Sequence, residues 1–220
     1  MKKLTNEIVV ASHNQGKIAE YRKIFEGINI KILSIKDLGI NVDVEETGNT
    51  FEENAYIKAR YIYNKVKLPT IADDSGLVID YLNGQPGVKS ARFAGENASD
   101  LDRINKVLSL MQNAKCGERS AKFVSSIVFI SPFCIPDSEI VIKASGQCLG
   151  EVAFEPKGSN GFGYDPIFLV GKKTFAEMTD VEKNNISHRG RAVDDFKKKL
   201  EEFISYEKER KNWIASKEQN

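Results

Sequence analysis

Asn14-Gln15-Gly16-Lys17 places a glycine and a lysine just before a segment of helical apolar spacing. Unpaired N–H groups and the dipole at a helix start favour a phosphate there. Gly16 permits close backbone approach, Lys17 adds a full charge, and Ser12 and His13 lead the same polar loop. The glycine and lysine spacing of a P-loop is absent, and an ordinary strand-to-helix turn would use the same residues. A second group is acidic. Glu45-Glu46 and Asp73-Asp74 are adjacent like charges, which need either full exposure or a cation between them. Carboxylates with water are magnesium's preferred shell; solvated acidic turns are the plain alternative.

Lys58 lies one turn from Asn54 and one from Ile62, at the edge of a buried stripe. There it either snorkels to solvent or reaches over the acidic pairs to a phosphate. In the loop Ser159 to Asp165, glycines surround Phe162 and Tyr164. Close backbone approach and ring faces suit a flat base, or equally a tight turn with aromatic core anchors. Lys183 and Ser187-His188-Arg189-Gly190-Arg191 supply N–H donors able to read a carbonyl-rich base edge, or form a basic surface cluster.

The elements that must position these groups follow an α/β order. Residues 7–11 read as a buried strand, and Ile18, Tyr21 and Phe25 stripe a helix with Gly27 at its cap. Strands are predicted over 28–33 and 41–44, then a helix opened by the capping box Thr50 to Glu53. Its stripe is Phe51, Ala55, Ala59, Ile62 and Val66. A strand over 68–72 is expected to end at Asp73-Asp74, placing the acidic pair at its carboxyl end. Ser99 caps a helix striped by Leu101, Ile104, Leu108 and Met111. Residues 121–130, 139–144 and 147–154 read as closely spaced antiparallel strands, so the sheet is expected to be mixed. A capping box from Thr179 to Glu182 follows, then a final helix on Val193, Phe196, Leu200 and Phe203. One catalytic domain over 1–206 and a charged tail over 207–220 are expected.

Composition narrows the ligand. The 220 residues are 41% hydrophobic and 29% charged, an ordinary globular mix. A net charge of +1 sets up no global field for nucleic acid, so an anionic ligand must be held locally. The apolar run at 8–11 is too short for a secretion signal, and no stretch reaches membrane-spanning length, so a cytoplasmic protein is expected. Cys116, Cys134 and Cys148 are widely spaced and read as free thiols. With His13 and His188 the only histidines, a hard, oxygen-loving metal is favoured over a histidine-rich zinc site.

The motifs also occur in one order: Ser12 to Lys17; Glu46-Thr47-Gly48 with Phe51, Asn54 and Lys58; Ala72-Asp73-Asp74-Ser75-Gly76-Leu77; Pro86-Gly87 with Ser90-Ala91-Arg92; Gly161-Phe162-Gly163-Tyr164-Asp165-Pro166; and Ser187-His188-Arg189-Gly190. That order closely resembles the inosine/xanthosine triphosphate pyrophosphatase family over roughly residues 7–200. Ser12 stands where the family pattern has threonine, keeping the hydroxyl. The resemblance implies a two-lobed α/β fold with an elongated mixed sheet flanked by helices, a homodimer, Mg²⁺, and hydrolysis of ITP, dITP or XTP to the monophosphate and pyrophosphate. It implies Asp74 as general base and metal ligand, with Glu46 and Asp73 completing the metal site. Ser12, His13, Asn14, Gln15, Gly16, Lys17, Lys58 and Lys183 would contact the triphosphate, with Ser75 beside them. Phe162, Gly163, Tyr164, Asp165, His188 and Arg189 would form the base pocket. A Maf-like pyrophosphatase and a non-hydrolysing triphosphate sensor are the competing readings.

Overall fold

The computed structural model describes residues 6–26, 30–132 and 138–218, with 207–218 as backbone only. In chain order the main elements are β1 (Glu7–Val10), α1 (Gln15–Ile24), β2 (Lys31–Ser34), α2 (Phe51–Val66) and β3 (Thr70–Ile79). They continue as α3 (Asp100–Leu110), β4 (Ser120–Pro132), β5 (Glu139–Val152), β6 (Phe168–Val170), β7 (Lys173–Thr174), α4 (Asp180–Ile186) and α5 (His188–Glu218). Helix starts follow local chemistry. Asn14 caps α1, and capping boxes open α2 (Thr50 with Glu53), α3 (Ser99 with Asp102) and α4 (Thr179 with Glu182).

Among the described residues the strands form one sheet in the order β2-β1-β3-β4-β5-β6-β7. β2, β1 and β3 are parallel and the remainder antiparallel, giving a mixed, two-lobed sheet. Successive strand residues face opposite sides, and each side has its own cover. Val10 and Ile71 meet Ile18 and Tyr21 of α1 and Val193 and Phe196 of α5. Val9, Ala72 and Val128 meet Ala55, Ala59 and Ile62 of α2. The second lobe packs Leu77, Ile79, Phe123 and Phe168 on Ile104, Val107 and Met111. Burying an Ile or Phe of this kind contributes about 1.5–3 kcal/mol. Among the described residues no helix is long and apolar enough to cross a membrane.

Several elements differ from the sequence expectation. Residues 41–44 form no strand: Gly39 turns the chain at φ 68°, and Val42, Asp43 and Val44 line a cavity instead. β3 does not stop at the acidic pair but runs through it, with Asp73 opposite Ile127 and Asp74 opposite Ser126. Gly76 is not a break. A Cβ there would lie 2.3 Å from Ser90 Oγ, whose hydroxyl accepts from Leu77 N at 2.9 Å. Residues 139–144 and 147–154 are one strand over most of their length, because Gly146 admits the backbone of α5: a Cβ would lie 2.3 Å from His188 O. Leu101 is exposed, and Val107 takes its place in the buried stripe of α3. Gly27, residues 28 and 29 of the second expected strand, and Cys134 lie outside the described residues. Cys116 and Cys148 are free thiols.

Candidate active site

β1 ends at Val10, and its pairing with β3 stops where Ala11 N, just beyond it, donates to Ile71 O at 2.8 Å. Beyond Ile71 this edge of β3 has no neighbouring strand among the described residues, and a cavity of about 700 Å³ opens there. Both lobes line it, including Ser12, His13, Asn14 and Lys17 from the first loop, Glu46, Lys58, Asp74 and Ser75, and Phe162 to Asp165, Lys183, His188 and Arg189. The motifs thus converge from distant stretches of chain. In the first loop Asn14 Oδ1 accepts from Lys17 N at 3.0 Å, and Ser12 Oγ from Asn14 N at 3.1 Å. His13 Nε2 lies 2.8 Å from Val42 O, tying this loop to the segment of Val42 to Val44 that lines the cavity.

Strand alternation separates the adjacent carboxylates. Asp74 faces α2, where Asn54 Nδ2 donates to Asp74 Oδ2 at 3.2 Å while Gly48 N donates to Asn54 Oδ1 at 2.8 Å. One amide therefore ties the loop behind Glu46 to the strand. Lys58 Nζ donates to Glu46 Oε1 at 2.6 Å and to Asp74 Oδ1 at 3.3 Å. Burial pushes the Asp74 carboxyl above the ordinary aspartate range, against the pull of Lys58 and Lys17. Burial alone would lower Lys58, yet Asp74 and Glu46 hold its ammonium above the usual lysine value. Arg92 stands at the rim, its Nη2 donating to Glu46 O at 3.5 Å.

Asp73 faces α1 and α5. Arg189 Nε and Nη2 donate to its Oδ2 at 3.1 and 2.9 Å, and Nη2 also to Ser75 Oγ at 3.0 Å. Lys17 Nζ lies 3.2 Å from Asp73 Oδ1, an ion pair without a well-directed hydrogen bond. Burial opposes ionisation, but Arg189, Lys17 and Lys58 hold the Asp73 carboxyl far below the ordinary range. Burial outweighs Asp73 in lowering the Lys17 ammonium. Arg189 Nη1 donates to Glu20 Oε2, and Lys183 Nζ donates to Glu20 Oε1 and to Asp165 Oδ2, both at 2.7 Å. The structure therefore does not bring Asp73 to Glu46 and Asp74, where a three-carboxylate metal site was expected; period-two alternation turns it away.

On the base side, the Phe162 ring lies over Gly16, where a Cβ would be 2.5 Å from Cδ1, and 5.1 Å from Lys183 Nζ. Tyr164 is no open stacking face: it is buried, and its hydroxyl donates to Ser90 O at 2.8 Å. Asp165 Oδ2 closes the loop by accepting from Phe162 N at 2.9 Å. His188 is buried and stacked on Phe123, centroids 4.6 Å apart at 13°, with Nδ1 unpartnered. Burial, then Arg189 and Lys183, push its imidazole well below the ordinary histidine value, so the ring is neutral at pH 7.

Sequence reasoning gave Glu20, Asn54 and Phe123 no role. Glu20 lies one helical turn after Lys17, on the same face of α1, which was the available signal. Among the described residues no three His, Cys, Asp or Glu side chains group as a metal cluster. Magnesium needs fewer, because one or two carboxylates with water and substrate phosphates complete its shell. Glu46 and Asp74 fit that requirement: both already direct an oxygen at one cation, the Lys58 ammonium.

The Ham1 family model matches residues 8–199, a span that contains every side chain of this site. The chain belongs to the Ham1 family. Among Ham1-like relatives, the dITP/XTP pyrophosphatase of Thermoanaerobacter pseudethanolicus is 46% identical over 202 residues, covering 89% of this chain and 99% of its own. That of Haemophilus influenzae is 45% identical over 199 residues, covering 90% of this chain and 100% of its own. The solved HAM1 protein of Coxiella burnetii superposes with a TM-score of 0.77 at 45% identity, covering 89% and 98% of the two chains. The Ham1 protein of Staphylococcus aureus gives 0.75 at 42%, covering 91% and 99%.

Proposed function

We propose that this Ham1-family chain hydrolyses inosine, deoxyinosine and xanthosine triphosphates to the monophosphate and pyrophosphate, removing them from the nucleotide pool. The observation that carries the reading is that Glu46 and Asp74 aim at a single cation in the cavity that also holds the start of α1, two further lysines and a neutral buried histidine. The relatives' activity on dITP and XTP supports the same substrate class.

Each side chain has a task in that reaction. Asp74, with a carboxyl that burial makes more basic, orients and deprotonates the water that attacks the α-phosphorus. Lys17, Lys58 and Lys183, with the N–H groups at the start of α1, neutralise the phosphate chain as pyrophosphate departs. Glu46 and Asp74 would hold Mg²⁺, which supplies charge neutralisation and polarises water when bound. Asp73 stays behind the site and fixes Arg189 and Lys17. With its N–H turned to the base, the neutral His188 imidazole would donate to a 6-oxo group, whereas an adenine amine offers that N–H no acceptor. Phe162 packs against the base. A cytoplasmic homodimer, with residues 207–220 as an appended tail, completes the proposal; sedimentation of the purified chain tests the dimer.

The test is pyrophosphate release across a nucleotide panel with Mg²⁺ present or chelated. Release from inosine, deoxyinosine and xanthosine triphosphates should far exceed release from ATP and should stop with chelation. Equal rates on ATP would refute the specificity, and tight binding without turnover would favour a sensor.

A further inference from the structure

The Lys58 ammonium occupies the place where the two candidate metal ligands converge. It takes Glu46 Oε1 at 2.6 Å and Asp74 Oδ1 at 3.3 Å, while Asn54 holds the other oxygen of Asp74. Magnesium takes carboxylate oxygens closer than an N–H donor does, so both cations cannot keep the same oxygens. For a metal to take Glu46 Oε1 and Asp74 Oδ1, Lys58 must leave. Its side chain is 13% exposed, so water cannot fully resolvate it, and the next carboxylate, Asp73, is already held by Arg189 and Lys17. A displaced ammonium left buried and unpaired is strongly unfavourable. A phosphate entering the same cavity is an acceptor that can take it.

We propose that Lys58 is the resident counter-ion of the Glu46 and Asp74 pair, released to the phosphate chain only when metal and triphosphate bind together. The inference rests on the reading of Glu46 and Asp74 as metal ligands. Its consequence is synergy: the metal binds weakly without nucleotide, and each ligand strengthens the other by the same factor.

Free Mn²⁺, followed by electron paramagnetic resonance, reads this without turnover. Lys58→Met should bind Mn²⁺ in the absence of nucleotide at least about tenfold tighter than the wild type, since no charge-assisted contact must first be broken. An inosine triphosphate analogue with a methylene bridge at the scissile position should tighten Mn²⁺ binding strongly in the wild type and much less in Lys58→Met. Lys58→Arg, which keeps the charge, should bind Mn²⁺ alone as weakly as the wild type. Unchanged or weaker Mn²⁺ binding by Lys58→Met would overturn the proposal, as would equal tightening by Lys58→Arg. Glu46→Gln and Asp74→Asn separate the two layers. If they abolish Mn²⁺ binding while Lys58→Met does not tighten it, only the counter-ion role is lost. If they leave Mn²⁺ binding intact, the metal site is misassigned as well.

Discussion

Gly146→Ala puts one methyl group between a strand and the helix that carries two site residues. A Cβ at this position would lie 2.3 Å from His188 O, 2.4 Å from Ala192 N and 2.9 Å from Arg191 C. All three are backbone atoms, so no side chain can rotate away. Ordinary contact begins near 3.4 Å, so α5 must retreat from β5 by roughly 1 Å. Overpacking of this kind costs about 1–3 kcal/mol. For a chain of this size about 2 kcal/mol lowers the melting temperature by about 4–8 °C. The same shift displaces His188 and Arg189, and a misplacement of about 1 Å can cost about a hundredfold in rate. Urea denaturation and kcat/KM for dITP should therefore fall together, while the urea m value stays unchanged. A variant within 0.5 kcal/mol of the wild type, at roughly full activity, would show that the close approach positions nothing.

If Asp74 is the base, kcat/KM is present above its pKa and lost as pH falls through it, so the acid limb should lie above the free aspartate value of about 3.9. Lys58 opposes that upward shift, so Lys58→Met should move the limb to higher pH; a limb that stays put argues against the pair. Asp74→Asn should lose nearly all turnover without lowering the denaturation midpoint, because a carboxyl whose folded pKa is raised costs stability when ionised. A normal rate would remove Asp74 from the mechanism. Arg189→Met leaves Asp73 and Glu20 short of a buried partner and should cost about 3–5 kcal/mol in urea denaturation. A loss below about 1 kcal/mol would mean that water or Lys17 compensates.

Helix starts were legible in the sequence because their chemistry is local. Thr50 with Glu53 and Thr179 with Glu182 sit three residues apart, and their capping boxes form as that spacing predicts. Strand extents were not. The strand expected to end at Asp73-Asp74 runs on to Ile79, and the two expected over 139–144 and 147–154 join through Ser145-Gly146; Gly76 and Gly146 are each required by a neighbour distant in sequence, Ser90 in one case and the backbone of α5 in the other. The pooling of both aspartates with Glu46 came from the family resemblance; with β3 running through the pair to Ile79, alternation separates them. The shared cavity was legible only through the joint order of motifs. Glu20 was missed because the ion pairs it makes with Lys183 and Arg189 span more than 160 residues.

The opposite facing of Asp73 and Asp74 also fixes what the chain can tolerate in length. A single-residue deletion within 70–72 would keep both acids and most of the apolar composition, yet would offer each acid to the other's partners. The acid shaped to bind a guanidinium would stand where water must be activated, and the reactive one would be locked into the sheet's reverse side. The ladder from Thr70↔Ile130 to Ile79↔Ala121 opposes such slippage. Anyone grafting or shortening this segment must therefore preserve residue parity as strictly as residue identity.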